Sequence, residues 1–259
     1  MVETATLVVV LAVVFLGGVV KGVAGFGYAV ASTAILATVL DSPATAVVVM
    51  ILPTLGANVY LLGELDRADL RPCLERFWPF VAAAMVGTGV GMLALRAVPK
   101  AAVALGLGVL TLGYVVLKQP WVRVPGVDAL TDRCFRPSTR WKTVLGLGSG
   151  LVFGASNIAV QVVAYLDALD LDRGTFVGVL AMILVGISTL RVGLAAGLGL
   201  FDASGTALLS LLAVAPGLAG VRVGGALRPR IPEAVQLGAV VVLLLVIGLR
   251  LTLTGLGLA

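Results

Sequence analysis

Long apolar stretches alternate with short polar connections along the whole chain. Each apolar stretch has roughly the 20 residues that an α-helix needs to cross a bilayer, or more. We therefore expect an all-α polytopic membrane protein of about eight transmembrane helices, with spans at residues 5–38, 43–62, 77–95, 99–117, 143–166, 174–198, 203–221 and 233–256. The first stretch is too long for one ordinary helix.

Two glycine-rich segments predict interruptions in these helices. Gly22–Gly27 lies inside the over-long first stretch, and Gly150–Asn157 lies inside the fifth. Because glycine permits a helix break and a close approach of the backbone, we expect broken or re-entrant segments near both. Whether the first stretch crosses the membrane once or twice decides the orientation of the later spans.

The spacing of glycines indicates an internal repeat. Pairs of glycines four residues apart recur at near-constant offsets of 132 or 133 residues: 18–22 with 150–154, and 87–91 with 220–224. This regularity predicts a first transmembrane repeat at 1–118, an interhelical linker at 119–142 and a second repeat at 143–259.

Composition supports the membrane class. Of the 259 residues, 60% are hydrophobic and 12% charged, against about 25% charged in soluble domains, and the mean hydropathy is +1.14. The net charge of +5 comes from Lys and Arg scattered over the interhelical connections. That distribution is typical of positive-inside topology with both termini in the cytoplasm, and it argues against a nucleic-acid partner.

The residue types present exclude several kinds of chemistry. The chain has no histidine, and Cys73 and Cys134 lie in connecting segments without a second nearby ligand. Metal, redox and other cofactors are therefore not expected. The acidic cluster Asp167–Asp172 fits a solvated loop at the end of a span. Since no nucleophile–base pair, phosphate-binding loop or zinc motif occurs, we do not expect an enzyme.

Lys21 is the single charge in residues 4–40, and it directly precedes the glycines 22–27. A charge within hydrocarbon costs at least ~2.5 kcal/mol, so such a residue points to a functional site. One interpretation is that Lys21 extends to the interface from the end of a first helix. The other is that Lys21 and the exposed amides of a broken helix at Gly22–Gly27 bind an anion.

Four further polar positions in apolar spans are candidate ligands. Asn157 and Gln161 are four residues apart and would share one helix face in the second half. Arg191 lies in the sixth span and corresponds to Asn58 of the first half at an offset of 133. The alternatives are that the amides hold helices together and that Arg191 pairs with a carboxylate of another helix or reaches an interface.

The run Val-Lys-Gly-Val-Ala-Gly-Phe-Gly-Tyr-Ala at residues 20–29, with Asp-Ser-Pro-Ala at 41–44, resembles the TauE/SafE sulfite exporter family, also called the toluene sulfonate uptake permease family. The resemblance extends over nearly the whole chain through the repeat, the span count and the short loops. Many members have three glycines and a proline where this chain has Gly-Ala-Ser-Asn-Ile at 154–158.

The resemblance implies a multi-pass secondary transporter of the cell inner membrane for small anions such as sulfite or organosulfonates. Carried over residue by residue, it places Lys21, Gly22, Gly25 and Gly27 in the substrate region. We expect this exporter or permease to bind its anion near mid-membrane, where the broken segments meet. The expected partners are a small anionic substrate and the lipid bilayer, and the oligomeric state stays open.

Two other classes of protein would fit the same apolar pattern. In a non-transporting scaffold or assembly subunit, the glycines would serve helix packing and both buried cations would extend to interfaces. A passive anion channel would use the same residues without obligatory exchange.

Overall fold

The computed structural model describes residues 4–40, 43–63, 67–94, 139–156, 159–167, 173–201 and 205–258, with Leu169, Leu171 and isolated positions between 101 and 116. All regular structure in these ranges is helical, which confirms the all-α class. Of the expected span at 99–117 the structure describes only isolated positions, which are helical, and most of the expected linker at 119–142 lies outside the described residues.

The helices follow the apolar stretches closely. Their bounds are α1 Thr4–Ala24, α2 Tyr28–Val39, α3 Pro43–Val49, α4 Ile51–Leu62, α5 Arg67–Ala94, α6 Thr139–Ser156, α7 Val160–Asp167, α8 Arg173–Gly197, α9 Thr206–Leu212, α10 Val214–Leu227 and α11 Glu233–Gly255. A 3₁₀ turn, Arg228–Arg230, follows α10.

Within the described residues, five helical segments are long and apolar enough to cross a membrane. They are Thr4–Ala24, Thr45–Leu62, Arg71–Leu93, Thr175–Gly197 and Thr206–Arg230. These segments support a multi-pass membrane protein.

Both expected interruptions coincide with helix ends in the structure. In the first region α1 ends at Ala24 and α2 begins at Tyr28. In the second region α6 continues from Thr139 through Gly150 to Ser156, and α7 begins at Val160. These limits lie 132 residues after the end of α1 and the start of α2. Gly150 and Gly154, inside α6, pack closely against α5, and Asn157 lies outside the described residues.

The chain forms two compact units. The first comprises Met1–Leu70 and Val177–Leu237, and the second comprises Arg71–Phe176 and Gly238–Ala259. Each unit contains a pair of helices in close backbone contact.

In the first unit, α1 and α10 pack through glycine. A methyl group added at Gly22 would lie 2.8 Å from Gly224 Cα, and one at Gly18 would lie 3.2 Å from Gly220 Cα. Because the contacting residue numbers increase together, the two helices run parallel. Small residues allow this backbone approach, which strengthens dispersion contacts where no water drives association.

In the second unit, α5 and α6 pack in the same way. A methyl group at Gly150 would overlap Ala84 O, and one at Gly154 would lie 2.9 Å from Thr88 Cα. The buried Thr88 Oγ1 donates to Ala84 O at 2.7 Å and to Gly150 O at 3.1 Å. This hydroxyl therefore bridges the two helices.

The contacts of the two helix pairs correspond position by position. Three of the backbone oxygens that face a glycine have a counterpart at an offset of 132 or 133 residues: Val221 O at Gly22 with Thr88 O at Gly154, Phe15 O at Gly220 with Leu147 O at Gly87, and Val19 O at Gly224 with Leu151 O at Gly91. The offset is the one found in the sequence.

Proline in α4 is accommodated by a hydroxyl from α9. Pro53 has no N–H to donate to Val49 O, the acceptor one turn earlier. Ser210 Oγ, which is fully buried, donates to Val49 O at 2.8 Å. The free carbonyl is thus satisfied within the protein, as an apolar environment requires.

We predict opposite effects for alanine at two glycines of α6. Gly150→Ala should destabilise the protein by roughly 1–3 kcal/mol, because the new methyl group meets the backbone at Ala84. Gly148→Ala is the matched control: nothing lies within 4 Å of its added Cβ, and the better helix propensity should stabilise by about 0.5–1 kcal/mol. Melting temperatures of the purified variants in detergent test this, and equal shifts for both would contradict the packing described.

Candidate functional site

The α1–α2 segment forms a helical hairpin in the first unit. Ser32 Oγ donates to Val13 O at 3.5 Å, and a methyl group at Gly17 would lie 3.1 Å from Tyr28 Cδ2. Since the residue numbers run in opposite senses, α2 returns antiparallel along α1. Its 12 residues extend about 18 Å, less than the ~30 Å hydrocarbon core. By its length α2 alone does not cross that core.

The turn between these helices depends on two glycines. Gly25 and Gly27 have φ angles of 86° and 90°, in the left-handed region that glycine adopts without steric cost. Gly25 N donates to Lys21 O at 2.7 Å, and Ala31 N donates to Gly27 O at 3.0 Å. The first amides of α2 precede that bond and have no intrahelical acceptor, and no side chain caps them.

Lys21 lies in the last turn of α1 and is buried, with 2% of its surface exposed. Within the described part of the chain, no carboxylate pairs with it, and the ion pair recorded there joins Arg71 to Glu75 at 3.0 Å. A side chain that extends to the interface would be exposed. The structure instead encloses the ammonium group in protein beside the turn.

The turn lies at the level of the carboxyl end of α10. Gly22 faces Val221, Gly224 and Gly225, in the last two turns of α10. The turn therefore lies toward the end of α10 that continues into Arg228–Arg230, because the glycine contacts bring the ends of α1 and α10 to the same level.

A second buried polar group joins α4 to α8. Asn58 Nδ2 lies 3.5 Å from Ser188 Oγ, a long hydrogen bond. Thr54, Asn58, Ser188 and Arg191 are each 4% exposed or less. Thr54 and Asn58 are one turn apart on α4, and Thr54 Oγ1 and Asn58 Oδ1 have no hydrogen-bond partner among the described residues. We call these four residues the α4–α8 polar cluster.

The α4–α8 polar cluster lies at a different level from the turn. Val177 of α8 contacts Gly25, with 2.9 Å between its Cγ2 and a methyl group added there. Ser188 and Arg191 follow Val177 by 11 and 14 residues, or about 16 and 21 Å along the helix. The structure thus places Asn58 against Ser188, three residues before Arg191 on α8, and it separates Ser188 and Arg191 from the residue that contacts the turn.

The candidates of the second half belong to the second unit. Gln161 is in α7, and its side chain is not among those described; Asn157 lies outside the described residues. Phe153, which corresponds to Lys21 at an offset of 132, is 1% exposed in α6. Within the described residues, no group of three or more His, Cys, Asp and Glu side chains could hold a metal ion.

Sequence reasoning did not select Thr54 or Ser188 as ligands. The signal for Thr54 is its spacing of four from Asn58 in an apolar span, which places both on one helix face. Ser188 precedes Arg191 by three residues and shares its face, whereas the exposed Thr189 donates to Val185 O one turn back at 2.8 Å.

Comparison with known proteins gives one match. The family model described as Sulfite exporter TauE/SafE matches residues 10–251 of the 259. No curated protein and no solved structure matches the chain.

We predict that alanine at Gly25 costs more stability than alanine at Gly205. Both glycines have positive φ, so each substitution should cost about 1–2 kcal/mol. At Gly25 the added methyl group also meets Val177, whereas nothing lies within 4 Å at Gly205. Melting temperatures in detergent should fall further for Gly25→Ala, and the second substitution Val177→Ala should recover part of the difference. An equal fall in melting temperature for both variants would refute the contact between Gly25 and Val177.

Proposed function

The chain belongs to the sulfite exporter TauE/SafE family, and on that premise we propose that it is a secondary transporter of small anions, such as sulfite or an organosulfonate, in the cell inner membrane. Membership of a transporter family and several apolar helices support a multi-pass membrane transporter rather than an enzyme. The observation that carries the choice of an anion is the buried Lys21 beside a broken helix.

The primary site consists of Lys21 and the turn Gly22–Gly27. A buried ammonium group is costly unless an opposite charge approaches it, and no carboxylate of the described residues does so. The uncapped amides at the start of α2 add donors and partial positive charge. The positive φ angles of Gly25 and Gly27 form the turn that precedes these amides. An anion therefore supplies the missing negative charge.

The α4–α8 polar cluster is a second position on the same path. Arg191 provides charge there, and Asn58 and Thr54 provide polar atoms that the described residues leave without partners. Along α8 the cluster is about 16–21 Å from Val177, the residue that contacts the turn. This spacing favours successive binding of one small anion at two depths over simultaneous binding by both cations.

We further assign the chain two related halves, 1–118 and 143–259, within eight spans. The matching glycine contacts at offsets of 132 and 133 residues support this division. Asn157 and Gln161 would supply neutral donors from the second half, where Phe153 replaces Lys21. Movement of one rigid group of helices against another would give alternating access.

We predict that Lys21→Met abolishes transport. Purified protein in liposomes should exchange radiolabelled sulfite or a sulfonate across the membrane with saturation and trans-stimulation. Loss of a charge-assisted contact should lower exchange at least about tenfold. Lys142→Met is the control, since Lys142 lies outside the Lys21 turn and its Nζ donates to Arg76 O at 2.7 Å and lies 6.0 Å from the centre of the Phe77 ring.

Three results would contradict this proposal. Exchange unchanged by Lys21→Met would refute the site. Flux that neither saturates nor shows trans-stimulation would indicate a passive anion channel. Absence of flux for both anions, with correctly folded protein, would favour a non-transporting scaffold.

We predict that Arg191→Met separates binding from transport. Because the α4–α8 polar cluster is distant from the turn, this variant should keep equilibrium binding of labelled sulfite in detergent and lose exchange in liposomes. Thr189→Val is the control, because the Thr189 hydroxyl is exposed and already bonded to Val185 O. Equal loss of binding in Arg191→Met and Lys21→Met would instead indicate a single site that uses both cations.

A further inference from the structure

Arg228 contacts the broken end of α1 from the end of α10. Its Nε and Nη2 both donate to Gly22 O, at 2.9 and 2.6 Å, and the two residues are 206 positions apart in the chain. The guanidinium group is partly buried. Two charge-assisted donors on one carbonyl oxygen form a strong and directional contact.

Gly22 O needs such a donor because the helix ends there. The last backbone bond of α1 runs from Gly25 N to Lys21 O. At Gly25 the chain takes up its positive φ of 86°, and no backbone N–H of the described residues bonds to Gly22 O. A carbonyl left without a donor in apolar surroundings costs several kcal/mol, on the order of a lost hydrogen bond or more. Arg228 satisfies it.

The same contact adjusts the charge around Lys21. The carboxyl end of a helix carries partial negative charge, which would oppose an anion beside the turn. The guanidinium group covers that end and leaves the amides of α2 and the Lys21 ammonium group as the dominant local charges. It also fixes the turn to α10, where Gly22 already packs with 2.7 Å between an added methyl group and Gly225 N.

We propose that Arg228 is a positioning residue for the anion site: it holds the α1–α2 turn in its binding conformation by bonding Gly22 O. This inference rests on the proposed function. The guanidinium fork suits the task because its donors are fixed in one plane, whereas lysine would offer a single flexible donor.

The contact between Arg228 and Gly22 O is tested first, by a measurement that does not depend on transport. Hydrogen exchange of the full-length protein in detergent should accelerate at least about tenfold in residues 23–30 of Arg228→Gln, because two charge-assisted bonds are lost. Arg230→Gln is the matched control, being exposed in the same 3₁₀ turn. Unchanged hydrogen exchange in Arg228→Gln, or equal acceleration in both variants, would show that Arg228 does not hold the turn. This result is independent of whether the wild type transports sulfite.

The positioning role is tested by transport kinetics. Arg228→Gln should raise the KM for sulfite exchange about tenfold or more with little change in Vmax, Arg228→Lys should recover part of the affinity, and Arg230→Gln should match the wild type. Faster hydrogen exchange in the turn of Arg228→Gln, together with an unchanged KM for sulfite, would overturn the role of Arg228 in binding. If the wild type transports no sulfite, the proposed function fails. The hydrogen-exchange result alone then shows whether Arg228 holds the turn.

Discussion

A helix that ends within a membrane domain leaves backbone N–H and C=O groups that lipid cannot satisfy. The first apolar stretch of this chain contains such an end, where α1 stops at Ala24 and α2 starts at Tyr28. Most features of the first unit follow from it: left-handed glycines form the turn, Arg228 takes the free carbonyl of Gly22, and the uncapped start of α2 presents amide donors next to a buried ammonium group.

Close glycine packing gives this turn a rigid support. α1 and α10 approach so closely that methyl groups at Gly22 or Gly224 would meet backbone atoms. The pair α5 and α6 repeats these contacts at the same sequence offset. The structure therefore uses one packing geometry twice, but only the pair α1 and α10 combines it with a buried lysine and an arginine anchor among the described residues. The same geometry thus supports a helix end with a buried lysine in one unit and, in the other, a helix end where the buried Phe153 takes the place of that lysine.

Local sequence predicted the features that local chemistry determines. The length of the first apolar stretch and the glycines after Lys21 were sufficient to predict the break, and a lone Arg191 in an apolar span was sufficient to predict a buried polar position. The helix end expected within Gly150–Asn157 follows Ser156. Gly150 and Gly154 lie inside α6 and pack against α5 instead, because glycine serves backbone packing as readily as helix interruption. Only the position of α5 shows which glycines serve packing.

Local sequence could not predict the tertiary contacts. Arg228 resembles any basic residue at the end of a span, and its bond to Gly22 O joins residues 206 positions apart. The distance between the Lys21 turn and the α4–α8 polar cluster likewise depends on how α8 passes Gly25. For these reasons the sequence indicated the charged groups but not their separation.

The central claim is that the α1–α2 turn binds an anion through Lys21 and the first amides of α2. The most direct test is an experimental structure of the protein in lipid with selenite, whose selenium atom identifies the anion in electron density. The account predicts selenium density within hydrogen-bonding reach of Lys21 Nζ and the Tyr28 and Ala29 amides, absent in Lys21→Met. Bound selenite elsewhere in the protein, with the turn empty, would contradict it.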